Sequence, residues 1–427
     1  MVSFYFPPLG GGGVQRSVKL VKYLPLYGWE PVVLTSSCKD YYAFDKSLFE
    51  DLPKTLKIVR TPLWEMLPVY EWLYKFRLNA LAHYLREREA YFMVPDKRCG
   101  WIPHAYEAGL KAITLQKINA LFTTSEPYSS HMIGLFLKLR TGIPWIADFR
   151  DEWADNTEYQ KTYLHTKLHK YLEMLVLKNA DIIISTSKQI TDILSKKLPH
   201  STEKFITITN GYDEEDLVPV RKNSIPTKKF IILYTGNAAG RQTPDCFFKA
   251  VDKFLCKHQM AKDFIEIRFI GIPPPSFLIE DTGLKGVVTL IRYIEHKDLI
   301  RHFAEATVLL LVVTTLRGGH VIPGKTFEYI ATGKPILTVV PPEGATAYIV
   351  KKANAGIIVS PDNTEQISNA LEQYYREWEQ FGRIYTDPNW SFIEQFERKH
   401  TTEQFAKVLN SLLEQHNQEE RKEKDIL

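Results

Sequence analysis

Twelve short β-rich runs recur along the chain with helical patterns between them, and this alternation limits the fold more than any other feature. The first six fall at 31–35, 57–60, 120–123, 145–149, 181–185 and 205–209. After a polar stretch at 221–229, RKNSIPTKK, six more follow at 230–235, 265–270, 287–291, 308–313, 335–339 and 356–359. Many are apolar on both faces, as strands of a parallel sheet covered by helices must be. The pattern predicts an α/β protein with two Rossmann-like, doubly wound domains. The expected limits are 1–215 and 216–390, followed by a helix over about 391–416. A charged, disordered tail is expected at 417–427.

Length agrees with that division, because 427 residues exceed one ordinary domain. Hydrophobic content of 44% and charged content of 24% suit a chain with a full core. The net charge of +4, from 54 basic and 50 acidic residues, is too small to argue for nucleic acid. Cys38, Cys99, Cys246 and Cys256 lack metal-site spacing, so neither zinc nor a disulfide framework is expected and a reducing cytosol fits. Residues 1–13 do not read as a signal peptide, and no apolar run approaches the ~20 residues of a membrane span. The expectation is a soluble or peripheral protein. One segment departs from the rhythm: 63–94 is rich in Trp, Tyr, Phe and Leu, interleaved with Lys75, Arg77, Arg86 and Arg88. It reads as helical packing, with contact to a membrane as the alternative.

Residues 6–17 read FPPLGGGGVQRS. Val2–Phe6 suits a first strand, and Val14, Val18 and Val21 mark one face of a helix closed by Gly28. The glycines therefore join strand to helix, where backbone N–H groups and the helix dipole can receive an anion. A dinucleotide fingerprint fails because position 16 is Arg16, and a phosphate loop fails because no Gly-Lys-Ser/Thr follows. On these residues alone the loop is a structural turn or an anion site. In the second half, 323–337 reads PGKTFEYIATGKPIL, a short helix between Pro323 and Gly333 followed by a strand. Phe327, Ile330 and Ala331 form its apolar face, and Lys325 and Glu328 share another. That pair is either a surface ion pair or a ligand site, with Lys325 on a diphosphate and Glu328 on a ribose diol.

Two further groups stand at strand ends. His131 lies near a helix start beside Ser129 and Ser130, and either faces the cleft or packs. Asp148, Arg150 and Asp151 close a strand on the same side, and either orient an acceptor hydroxyl or pair with one another.

The ordered set FPPLGGGGVQR, TSEPYSSH, GIPWIADFRDEW, ITNGYD, YTGN and PGKTFEYIATGKPIL resembles family 4 of the retaining glycosyltransferases, which have the two-domain GT-B fold. The resemblance spans essentially the whole chain and implies a final helix crossing back onto the first domain. It implies donor contacts from Gly12, Gly13, Arg16, Gly236, Asn237, Arg241, His320, Lys325, Thr326 and Glu328. His131, Arg150, Asp151, Arg241 and Lys325 become catalytic candidates, and His131, Asp148 and Arg150 acceptor-binding ones. The chain also departs from the family. His320 replaces the first glutamate of its Glu-x7-Glu motif, Asn237 stands where an arginine is common, Arg150 aligns with a frequent histidine, and strand one is unusually short.

The resulting expectation is a metal-independent transferase with no cofactor beyond a nucleotide diphosphate sugar. Its acceptor would be a glycan or lipid-linked hydroxyl in surface polysaccharide or glycoconjugate assembly. The setting would be cytoplasmic, at or near the inner face of the plasma membrane. The rivals are an epimerase of nucleotide sugars on the same fold and a non-catalytic partner subunit that binds them.

Overall fold

The computed structural model describes residues 1–156, 162–222, 228–280, 282–314 and 319–426. Each of the twelve runs forms a strand. In the first half these are β1 (Val32–Ser36), β2 (Lys57–Thr61), β3 (Leu121–Thr124), β4 (Trp145–Phe149), β5 (Ile182–Ser185) and β6 (Phe205–Thr207). In the second they are β7 (Phe230–Asn237), β8 (Ile265–Ile272), β9 (Val288–Ile291), β10 (Val308–Val312), β11 (Ile336–Val339) and β12 (Gly356–Val359). Every pairing between them is parallel.

The second sheet runs β12-β11-β10-β7-β8-β9. Successive side chains of β7 enter opposite apolar layers, Phe230, Ile232 and Tyr234 on one face and Leu233 on the other. The first half contains a β1-β2 pair and a β3-β4-β5-β6 sheet. Val2 joins them, bridging in parallel to both Leu34 and Thr123. The expected strand at Val2–Phe6 thus contributes a single bridging residue at the centre. Order reverses there and again between β7 and β10. Such switch points leave crevices beyond the carboxyl ends of the strands.

The region 391–416 differs from expectation. A short helix, Trp390–Ile393, and a 3-10 turn, Glu394–Phe396, end at Glu397, whose backbone is extended. A new helix, Arg398–Ile426, then begins. The break comes from tertiary pairing: Tyr212 N donates to Phe396 O at 3.1 Å, and Arg398 N donates to Tyr212 O at 2.8 Å. Phe405, Leu409 and Leu412 of the new helix pack against Leu20, Leu24 and Phe122 in the first half. The helix also continues through Ile426 where a disordered tail was expected. Its Glu, Gln, Lys and Arg content favours the helical state once a packed segment has nucleated it.

Candidate functional site

The glycine loop sits at the mouth of a cavity of about 420 Å³ lined from both halves. Its four glycines are not equivalent. Gly11 has φ +84°, and a Cβ at Gly10 or Gly11 would meet the hydroxyl of Tyr293 or Tyr42. Among the described residues, no neighbouring atom lies within 4 Å of where a Cβ at Gly12 would be. Gly10 and Gly11 therefore satisfy the turn, and Gly11 lines the cavity together with Gly12 and Gly13, which open the helix Gly12–Tyr23. From the second half Tyr293 reaches across, accepting from Gly11 N at 3.0 Å and donating to Asp45 at 3.2 Å.

The opposite wall is built from the end of β7 and the helix Lys325–Ala331. Gly236 has φ +106°, and a side chain at the neighbouring Gly271 would collide with its carbonyl. Both glycines line the cavity with Asn237, Lys325 and Glu328. Lys325 Nζ donates to Thr235 O at 2.8 Å and stands 3.5 Å above the Tyr234 ring. Phe327 and Ile330 on the same helix are fully buried, which leaves Glu328 turned towards the cavity. Burial raises the Glu328 pKa, and the nearby His296 opposes that rise.

His296 also lines the cavity and contacts Asp216 at 3.3 Å. Burial disfavours its cation, but Asp216 and Glu328 outweigh that and raise its pKa. Asp216 in turn joins Asp51 and Asp213 around the buried Lys19, at 2.7–2.9 Å. A charged network thus runs from the first helix through the connecting segment to the cavity.

Arg150 and Asp151 line the cavity as well. The Arg150 guanidinium donates to Gly13 O, to Thr124 Oγ1 at 2.9 Å and to Ser17 Oγ at 3.1 Å, bracing the glycine loop. Burial lowers its pKa to about 10.

Several expected site residues lie elsewhere. Arg16 and Asp148 form a buried fork at 2.8 and 3.0 Å, and Arg16 also caps the carbonyls of Ile208 and Thr209. They tie the first helix to the ends of the sheet and are not among the residues that line the cavity. His131 is fully buried, with Nδ1 2.8 Å from Thr123 Oγ1 and its ring on Phe149. Burial lowers its pKa to about 3, so it is a neutral core histidine and not a group facing the cleft. Thr326 is buried beneath the Lys325 helix. His320 turns to Glu152 at 2.9 Å and joins the two halves one residue before the lining begins at Val321. Arg241 lies in the turn Gly240–Gln242, and its side chain is outside the described residues.

Sequence reasoning missed Tyr42, Asn210, Tyr293, His296 and Arg398, all of which line the cavity. Of these only Asn210 carried a signal, inside the quoted ITNGYD.

Residues 219–385 match the family described as Glycosyl transferases group 1. Over those residues the chain is similar to a glycosyltransferase domain. Solved structures agree in fold. Sucrose-phosphate synthase from Thermosynechococcus elongatus superposes with a TM-score of 0.59 at 15% identity, over 100% of this chain and 96% of that one. Anabaena HepE in complex with UDP gives 0.62 at 12% identity, over 96% and 99%. The lipopolysaccharide outer core galactosyltransferase WaaB gives 0.54 at 13%, over 96% and 99%. No curated protein sequence matches. The fold is that of the GT-B glycosyltransferases, and these findings support a glycosyltransferase. Among the described residues no group of three or more His, Cys, Asp or Glu could hold a metal, and no helix is long and apolar enough to cross a membrane.

Proposed function

We propose that this protein moves a sugar, with retention of configuration, from a nucleotide diphosphate donor to an acceptor hydroxyl, as family 4 enzymes do. The observation that carries the reading is the convergence of Gly12, Gly13, Gly236, Lys325 and Glu328 in one cavity at the carboxyl ends of two parallel sheets. Glu328 accepts hydrogen bonds from the ribose diol. Lys325, with Arg241, and the amides at the start of the Gly12–Tyr23 helix receive the diphosphate, and they stabilise charge that develops on it as the glycosidic bond breaks. Those cations take the place of a divalent metal, so turnover survives EDTA. Arg150 and Asp151 stand on the acceptor side. HepE was solved in complex with UDP and, in a second structure, with UDP and glucose, which favours a uridine nucleotide here. The acceptor is a glycan or lipid-linked hydroxyl of surface polysaccharide assembly on the cytoplasmic side.

The test is thermal unfolding with UDP, GDP, dTDP and ADP, since a ligand bound only to the folded state raises the midpoint. One diphosphate should stabilise the protein well beyond the others. The corresponding sugar nucleotide should then be consumed faster when acceptor is added. Four null shifts would remove the nucleotide reading. Conversion of the donor to its epimer without acceptor would favour the epimerase.

A further inference from the structure

Arg398 is the first residue of the final helix and lines the cavity together with Gly12, Lys325 and Glu328. It is 7% exposed. Its place is set by the backbone: Arg398 N is held by Tyr212 O at 2.8 Å, and a Cβ at Gly211 would run into the Phe396 carbonyl and touch Arg398 Cδ. The helix thus delivers one guanidinium from the far end of the chain into the cleft.

The other buried guanidinium groups here are satisfied by the chain. Arg16 is forked onto Asp148, and Arg150 holds Gly13, Thr124 and Ser17. Arg398 makes no side-chain hydrogen bond and no close ion pair among the described residues; Glu328 and Asp213 attract it only through space, while Arg16 and Arg150 repel it. The guanidinium therefore opens onto the cavity with its five donors unmatched by any described acceptor, an arrangement that favours an incoming anion. Its environment says the same, because burial lowers its pKa to about 9. A planar fork in that position suits a phosphate group, which it can grip in two places.

We propose that Arg398 binds the diphosphate of the nucleotide, completing from the final helix a phosphate site otherwise made by the glycine loop and Lys325. This rests on the reading of the cavity as a nucleotide diphosphate site. Binding would then also fasten the final helix to the second half, since one residue would belong to both.

The experiment titrates the parent protein, R398Q and R398K calorimetrically with UDP, GDP, dTDP and ADP, then with inorganic pyrophosphate and the nucleoside of the best binder. The expected result for R398Q is a loss of about tenfold or more for diphosphate and pyrophosphate, with nucleoside affinity and unfolding temperature unchanged. R398K keeps the charge without the fork and should fall between. Equal diphosphate affinity in R398Q and parent overturns the inference and leaves the nucleotide reading standing. So does an equal loss for diphosphate and nucleoside, which would make Arg398 a prop. Should R398Q not fold, R398K decides by the same comparison. A parent that binds no diphosphate overturns both.

Discussion

Gly12 and His131 carry opposite lessons. Among the described residues nothing crowds a Cβ at Gly12, so the missing side chain serves the cavity and not the fold. Gly12→Val should leave the unfolding temperature close to that of the parent and lower nucleotide affinity by about tenfold or more, read by titration calorimetry. Unchanged affinity would mean that the loop is only a turn. His131 does the reverse: it serves the fold and not the cavity. Its usual pKa of 6.5 drops to about 3 in the core. Between those values the unfolded chain holds a proton at this position that the folded chain lacks, so stability falls as pH falls through that window. The slope is about 1.4 kcal/mol per pH unit. Denaturant unfolding of the parent and His131→Leu between pH 6 and pH 4.5 should differ in slope by about one proton. Parallel profiles would mean that the buried imidazole titrates normally.

At the scale of elements, the strands are legible because many are apolar on both faces, and short runs such as Val308–Val312 admit little else. The loops and helices of the cleft are legible where glycine clusters or charge pairs interrupt that pattern, as at Gly10–Gly13 and Lys325–Glu328. The helix break at Glu397 is not legible. Nothing in FIEQFERKH departs from a helical pattern, and the break is imposed by Tyr212, far away in sequence. Arg398 was invisible for the same reason, since its position depends on that pairing. Asp148 stands two residues before Arg150, which lines the cavity, yet burial turns it inward as it does His131, and periodicity does not report which strand-end side chains reach solvent. The aromatic stretch at 63–94 forms the helices Leu67–Lys75 and Asn79–Phe92. Trp64, Trp72, Phe76 and Tyr84 on it are half exposed or more, beside Lys75, Arg77 and Arg88. An exposed surface of this kind suits an interfacial membrane contact. The protein should sediment with anionic vesicles at low salt and be released as salt rises, and Trp72→Ala with Phe76→Ala should weaken that binding. Equal recovery in the supernatant with and without vesicles would contradict it.

In the whole molecule, the two halves meet through specific contacts. Tyr293 touches Gly11, His320 pairs with Glu152, Lys297 pairs with Glu50, and the Lys19 cluster reaches His296 through Asp216. The cavity lies among them, so a ligand filling it would touch both sheets and the final helix together. The central claim is that Lys325 and Glu328 divide a nucleotide between them, and the most direct measurement compares the affinities of a nucleoside diphosphate and its nucleoside for Lys325→Ala and Glu328→Gln. Lys325→Ala should weaken the diphosphate far more than the nucleoside. Glu328→Gln should weaken both by about one to two decades, because charge-assisted hydrogen bonds to the ribose are worth roughly 1.5–3 kcal/mol each. Both variants should unfold like the parent. If Glu328→Gln binds nucleotide as the parent does, or if it unfolds the second half, the pair is structural and the donor site lies elsewhere.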